Sequence, residues 1–256
     1  MGNPRYSYPP ALIAGVCGSI LFGGKRSFRA DALACVQRLH PPLRVQGAGN
    51  IPAAGPCVLT VNHYHRPGFG AWWIALALAA TLPLEAHWTM TDELTFPGRW
   101  YAFAGRAGSR WLLKRAARMY AFTSMPPMPP RPQDTHRRAG AVLALLRYVR
   151  LHPNAVLALA PEGGDAPGGV LASLPSGAGR FLLLLAGAGF PVVPVGCWEE
   201  SGALCLRFGP AYRLQVPPGA ASGERDRLAG EAVMHAIACQ LPARLQGTHD
   251  RLQPGA

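Results

Sequence analysis

Two periods run through the chain. Short apolar or alternating runs at 43–47, 57–62, 155–160, 191–197, 204–208 and 212–216 have the length and β-branched content of strands. Between them the apolar positions recur at helical spacing. Such stretches lie at 27–39, 71–84, from Gly108 onward within the Trp-, Phe- and Arg-bearing region 87–122, and at 135–152, 177–188 and about 224–241. The helix at 135–152 carries its apolar face on Val142, Leu145, Leu146 and Val149. Pro41-Pro42 end the helix at 27–39, because proline cannot continue the hydrogen-bond ladder. Residues 125–132 (MPPMPPRP) read as an extended, exposed loop. Strands alternating with helices predict an α/β sandwich: a central, mostly parallel sheet flanked by helices, much of it buried on both faces. The expected organisation is an N-terminal helical segment over 1–40, one α/β domain over 41–245 and a flexible tail over 246–256, with no internal repeat and no linker dividing the domain.

The N-terminal segment changes this picture. Residues 11–24 (ALIAGVCGSILFGG) are apolar, yet shorter than the roughly 18 residues a membrane span needs. The run at 71–84 is also short and contains Pro83. No cleavable signal is read, since only Arg5 precedes the first run and no clear cleavage site follows it; Tyr6 stands where a myristoylation motif needs Ser or Thr. The expectation is a membrane-facing helix lying at the interface, followed by a basic amphipathic one. Composition agrees with a substantial core, with 49% hydrophobic and 15% charged residues. The formal net charge of +12 attracts polyanions. No zinc-finger spacing, aromatic RNA-binding motif or continuous basic helix accompanies it, so anionic lipid headgroups are the expected partner rather than nucleic acid. The basic stretch Arg106 to Arg118 is the expected membrane-facing surface. Trp72 and Trp73 suit either interfacial anchors or the lining of an acyl-chain channel, with the interface preferred. The six cysteines form no C-x-x-C pair and no metal-ligand spacing is present, which suggests a reducing, cytoplasmic face and no bound cofactor. Oligomeric state is not legible.

The candidate chemistry sits just past two strands. Asn62-His63-Tyr64-His65-Arg66-Pro67-Gly68 follows the strand at 57–62, and Pro161-Glu162-Gly163-Gly164 follows the strand at 155–160. A histidine beyond a strand's C-terminal end lies on a rim that a ligand reaches, and imidazole suits a general base near neutral pH. Glu162 is read equally as an acceptor-binding residue and as a helix cap. His65 is read as a surface or hydrogen-bonding residue in preference to a second base.

These two motifs, the glycine-punctuated helix at 177–189, the strand Phe190-Pro191-Val192-Val193-Pro194-Val195 and the lead-in Gly47-x-Gly49-Asn50-Ile51-Pro52 occur in an order that resembles the glycerolipid (lysophosphatidic acid, 1-acylglycerol-3-phosphate) acyltransferase family. The resemblance spans about 43–197 and implies acyl transfer from acyl-CoA or acyl-carrier protein to the hydroxyl of a lysophospholipid or related amphiphilic alcohol. It implies His63 as general base, Asn62 shaping the rim, and Glu162 with Gly163 at the acceptor. The chain departs from the family at three places. The carboxylate that should follow His63 by five residues is Gly68; the Thr-Arg expected after Glu-Gly is Gly164-Asp165; and the glycine-and-arginine block is not recognisable around 120–124. The carboxylates weighed as substitutes are Asp92, Glu93 and Asp165; Arg115 and Arg118 are weighed for the missing cation. The alternative from another class is a catalytically silent lipid- or acyl-chain-binding relative.

Overall fold

The computed structural model describes residues 3–251 other than 96, 97, 99, 129, 130 and 165. Its elements run α1 (Pro10–Phe22), α2 (Phe28–Val36), β1 (Arg44–Gln46), β2 (Cys57–Val61), α3 (Trp72–Thr81), β3 (Ala86–Thr91), α4 (Ala102–Met119), β4 (Thr123–Met125), α5 (Thr135–Leu151), β5 (Val156–Leu159), α6 (Ala178–Gly187), β6 (Val192–Glu200), β7 (Ala203–Phe208) and α7 (Ser222–Ala238). Among the described residues seven strands form one sheet, ordered β1-β7-β6-β2-β5-β3-β4. The five from β6 to β4 run parallel; β7 turns back antiparallel on β6, and β1 lies parallel to β7. This is the expected α/β architecture.

The middle of the sheet explains the near-continuous apolar runs. Every residue of β2 and β5 is buried, as strands covered by helices on both faces must be. Helix α3 is apolar all round and buries Trp73, Ile74, Leu76, Ala77, Leu78 and Ala79. Helices α6 and α7 pack closely, since a Cβ on Gly179 would lie 2.0 Å from the Asp226 carbonyl oxygen. By contrast α1 buries none of its residues, although it is apolar throughout. It is tied to α4 by the Arg115 guanidinium, which donates to the carbonyls of Ile20 at 3.2 Å and Leu21 at 3.4 Å.

Two strands are not marked by the sequence periodicity: residues 86–91 form β3 and 123–125 the short edge strand β4. Three expectations need correction. The expected strand at 212–216 shrinks to one bridge, Tyr212 to Val192, because β6 begins at Val192 and the chain before it belongs to the turn that leaves α6 through Gly189 at φ 92. The proline-rich loop is not exposed at its start: Pro126 and Pro127 are buried. Within the segment read as a tail, Gly247–Arg251 form a 3-10 turn and His249 is buried; residues 252–256 lie outside the described part.

Candidate functional site

Parallel pairing brings the two motifs together. Strands β2 and β5 are neighbours in register, with Thr60 opposite Leu159. His63 and Glu162 each lie three residues beyond that pair, so both fall on the rim at the C-terminal ends of the strands, where open α/β sheets bind their ligands. The contact is direct: the backbone N–H of His63 donates to Glu162 Oε2 at 2.5 Å. The other oxygen, Oε1, accepts from the backbone N–H of Ala172 at 2.7 Å. A second contact lies further along both loops. Gly169 has φ 68, and a Cβ there would approach the His65 carbonyl oxygen to 2.8 Å and the Tyr64 ring to 2.9 Å. Only glycine fits so close an approach at positive φ.

The structure thereby assigns the motif residues different tasks. Asn62, 1% exposed, spends its carboxamide on one residue: Nδ2 donates to the Cys197 carbonyl at 2.9 Å, and the Cys197 N–H donates to Oδ1 at 2.6 Å. It fixes the end of β2 to β6, with both amide groups engaged inside the protein. Glu162, 7% exposed, holds both loops through its oxygens, as a positioning residue. His63 and His65 are partly exposed. Gly68 has φ 79, a left-handed conformation that a side chain strains, so the backbone at this position is built for glycine rather than for a catalytic carboxylate.

The loop 63–70 is held from its other side by aromatic packing and one ion pair. Tyr64 stacks edge-on against Phe69 with centroids 5.2 Å apart, and Tyr6 meets Phe69 at 5.6 Å and Trp73 at 4.9 Å. Glu199 on β6 accepts from Arg66 through both Nη2, at 2.8 Å, and Nε, and from the Tyr6 hydroxyl at 2.5 Å. Burial, reinforced by the hydrogen bond to Glu199, holds the Tyr6 phenol well above its usual range, so it remains a donor. The hydrogen bond to Glu199 likewise raises Arg66, against the opposing effect of burial.

The substitute residues weighed from the sequence are engaged elsewhere. Glu93 pairs with Arg110 and with Arg131, the latter at 3.0 Å; burial alone would raise its carboxyl, yet the two guanidinium groups hold it below the ordinary value. Asp92 pairs with Arg137, which also binds Asp134 at 2.7 Å. Both acids lie at the end of β3, which β5 separates from β2. Asp165 lies outside the described residues. Arg115 caps α1 and Arg118 is exposed on α4, and neither lines the cavity described next. Trp73 is a core residue; Trp72 is partly exposed against Phe28, and it too is absent from the cavity wall.

That cavity, about 230 Å³, opens beside Gly163 at the C-terminal ends of β3, β4 and β5. Met90, Met125, Pro127, Val142, Leu159 and Phe181 give it a mainly apolar wall, and Arg138 of α5 reaches into it. Gly163 has φ 69, and a Cβ there would lie 2.5 Å from Met128 Cγ, so the glycine allows the proline-rich loop to close one side. Sequence reasoning missed Arg138, because nothing in its spacing distinguishes it from Arg137, its neighbour in the acidic cluster. The cavity wall begins one residue from the glutamate that anchors the His63 loop; His63 itself is not part of the wall.

Fold and site together define an α/β protein whose rim joins a histidine loop, a glutamate loop and an apolar cavity. No protein-family model matches the chain, and no curated protein matches it. Among solved structures it is similar to the crystal structure of the 1-acyl-sn-glycerophosphate (LPA) acyltransferase PlsC from Thermotoga maritima, at 14% identity over 89% of this chain and 80% of that one, with a TM-score of 0.45. Likeness that loose carries no functional argument, which rests on the residues of this chain.

Proposed function

We propose that this protein is an acyltransferase-like enzyme acting at a membrane surface. It moves an acyl group from acyl-CoA or acyl-carrier protein to the hydroxyl of a lysophospholipid or related amphiphilic alcohol. The observation that carries the reading is the hydrogen bond from the His63 backbone to Glu162, which fixes the histidine loop beside an apolar cavity. In the reaction the acceptor oxygen bonds to the thioester carbonyl carbon while the His63 imidazole takes its proton; the carbon–sulfur bond then breaks and the proton passes to the departing thiolate. Glu162 positions the loop, and Gly163 forms part of the wall against which the acceptor lies. The exposed apolar residues of α1 and the arginines of α4 favour a peripheral association with anionic lipid.

A second reading, a silent acyl-chain binder, is favoured by one feature: Gly68 supplies no carboxylate to orient the imidazole. Losing the acid of a Ser-His-Asp triad lowers kcat by about four orders of magnitude without removing catalysis, so the two readings differ in whether slow turnover depends on His63. Thiol release from acyl-CoA in the presence of lysophospholipid, compared between the wild type and His63→Ala, separates them. The enzyme reading expects a loss of at least about 100-fold in kcat. Equal rates, or none above background in the wild type with lipid binding retained, leave the binder.

A further inference from the structure

The cavity beside Gly163 contains a charge that the described residues of its wall do not neutralise. Arg138 is partly buried there, and its guanidinium donates to the Pro127 carbonyl at 3.0 Å and lies 3.5 Å from the Met128 sulfur. Both partners are uncharged, and among the described residues no carboxylate pairs with Arg138, whereas Arg131 and Arg137 on the same stretch are each paired with two acids. A partly buried guanidinium beside an apolar wall, with no counter-ion among the described residues, gains from an anion that completes its donors. Arg138 is the one charged side chain among the described residues of the wall. The N-terminus of α6 also borders the cavity, but Asp226 accepts from the Gly177 and Arg180 N–H groups at 2.7 Å each and spends the positive end of that helix. Among the described residues of the wall, one unit of positive charge remains.

We infer that the cavity is a subsite for a single-chain amphiphile with a monoanionic head, a carboxylate or a phosphodiester, with Arg138 holding the head and the apolar wall taking the chain. Two of the guanidinium's N–H groups are already directed at Pro127 and Met128, leaving the remaining donors for one planar or tetrahedral oxyanion. A dianionic phosphate monoester would bring a second charge for which the described wall offers no cation. This inference deepens the proposed acceptor site and rests on that reading for its place in the reaction, but not for the binding itself.

The test is calorimetric binding of ten-carbon probes below their micelle concentrations: decanoate, decyl methyl phosphate, decyl phosphate and neutral monodecanoylglycerol. The wild type is expected to bind both monoanions about tenfold or more tighter than the neutral probe, with decyl phosphate no tighter than its methyl ester. Arg138→Gln is expected to abolish the preference while leaving neutral-probe affinity within about twofold. Retained neutral-probe binding shows that Arg138→Gln is folded; Val142→Trp, which fills the cavity, is expected to lose all four probes while keeping the wild-type far-ultraviolet dichroism. Equal binding of neutral and anionic probes by the wild type overturns the inference. So does an anion preference that survives Arg138→Gln, or binding that survives Val142→Trp. Decyl phosphate binding more than about tenfold tighter than decyl methyl phosphate also overturns it. An Arg138-dependent preference in a protein whose turnover ignores His63→Ala would remove the enzyme reading and leave the subsite standing.

Discussion

Glu162 is a carboxylate with both oxygens directed at backbone N–H groups, from His63 and from Ala172. Removing such an acceptor leaves two donors in a partly buried place, at a cost of up to about 1–3 kcal/mol for each left unsatisfied. Glu162→Ala is therefore expected to lower the unfolding free energy by about 2 kcal/mol or more, read from urea denaturation. Glu162→Gln is nearly isosteric, yet it sets an NH2 against one backbone donor and is expected to destabilise as well. A glutamine variant as stable and as active as the wild type would mean that the carboxylate is not the link between the loops. This arrangement was half legible. The motif order and strand context located His63 and Glu162, because a buried run ending in polar residues marks a rim. The direction of Glu162 was not, because a carboxylate after a strand reads alike whether it faces a substrate or a neighbouring loop. Asn62 follows the same rule: its bonds go to Cys197, a residue that chain distance hides.

At the scale of an element, β3 is where sequence periodicity gave out. The segment Ala86–Thr91 carries a buried histidine at its second position, and polar residues are poor strand-core candidates until their partners are known. The structure supplies them: His87 Nε2 lies 2.8 Å from Thr123 Oγ1 on β4, and the ring stacks on Tyr148 of α5 at 3.8 Å. These come from elements 36 and 61 residues downstream, beyond the reach of local pattern. By contrast β2, β5 and β6 were legible because burial on both faces leaves an unbroken apolar run. The His87 site has a pH consequence. Burial, with a smaller contribution from His152, lowers its pKa from 6.5 to about 4. Between these values the unfolded chain binds the proton and the folded chain does not. Stability is therefore fully present above pH 6.5 and declines as pH falls toward 4. From pH 7 to pH 5 the loss is up to about 2 kcal/mol. His87→Phe, which keeps a ring against Tyr148, is expected to flatten that slope in denaturation midpoints, whatever it does to stability at pH 7. An unchanged slope would place the titrating group elsewhere.

Across the whole molecule, the apolar surface that the fold leaves uncovered lies largely on α1, on α4 and just before α4. Phe22 is 90% exposed, Trp100 95% and Phe103 82%, with Trp111 and Leu112 exposed further along α4. Arg106, Lys114 and Arg118 are exposed on the same helix. Among the described residues no helix is long and apolar enough to cross a membrane. Exposed aromatic and aliphatic side chains beside cations are the composition that inserts shallowly into an anionic interface, with apolar burial supplying depth and the arginines long-range attraction. Two dependences separate these contributions. Co-flotation with phosphatidylglycerol vesicles is expected at low salt and to weaken severalfold when ionic strength is raised to about 0.5 M, where the Debye length falls to about 4 Å. The double variant Phe22→Ser with Phe103→Ser is expected to lose flotation at both salt concentrations, while retaining the far-ultraviolet dichroism of the wild type, since neither ring belongs to the core. Flotation that ignores salt would remove the electrostatic part of this account. A double variant that floats like the wild type would move the contact to another face.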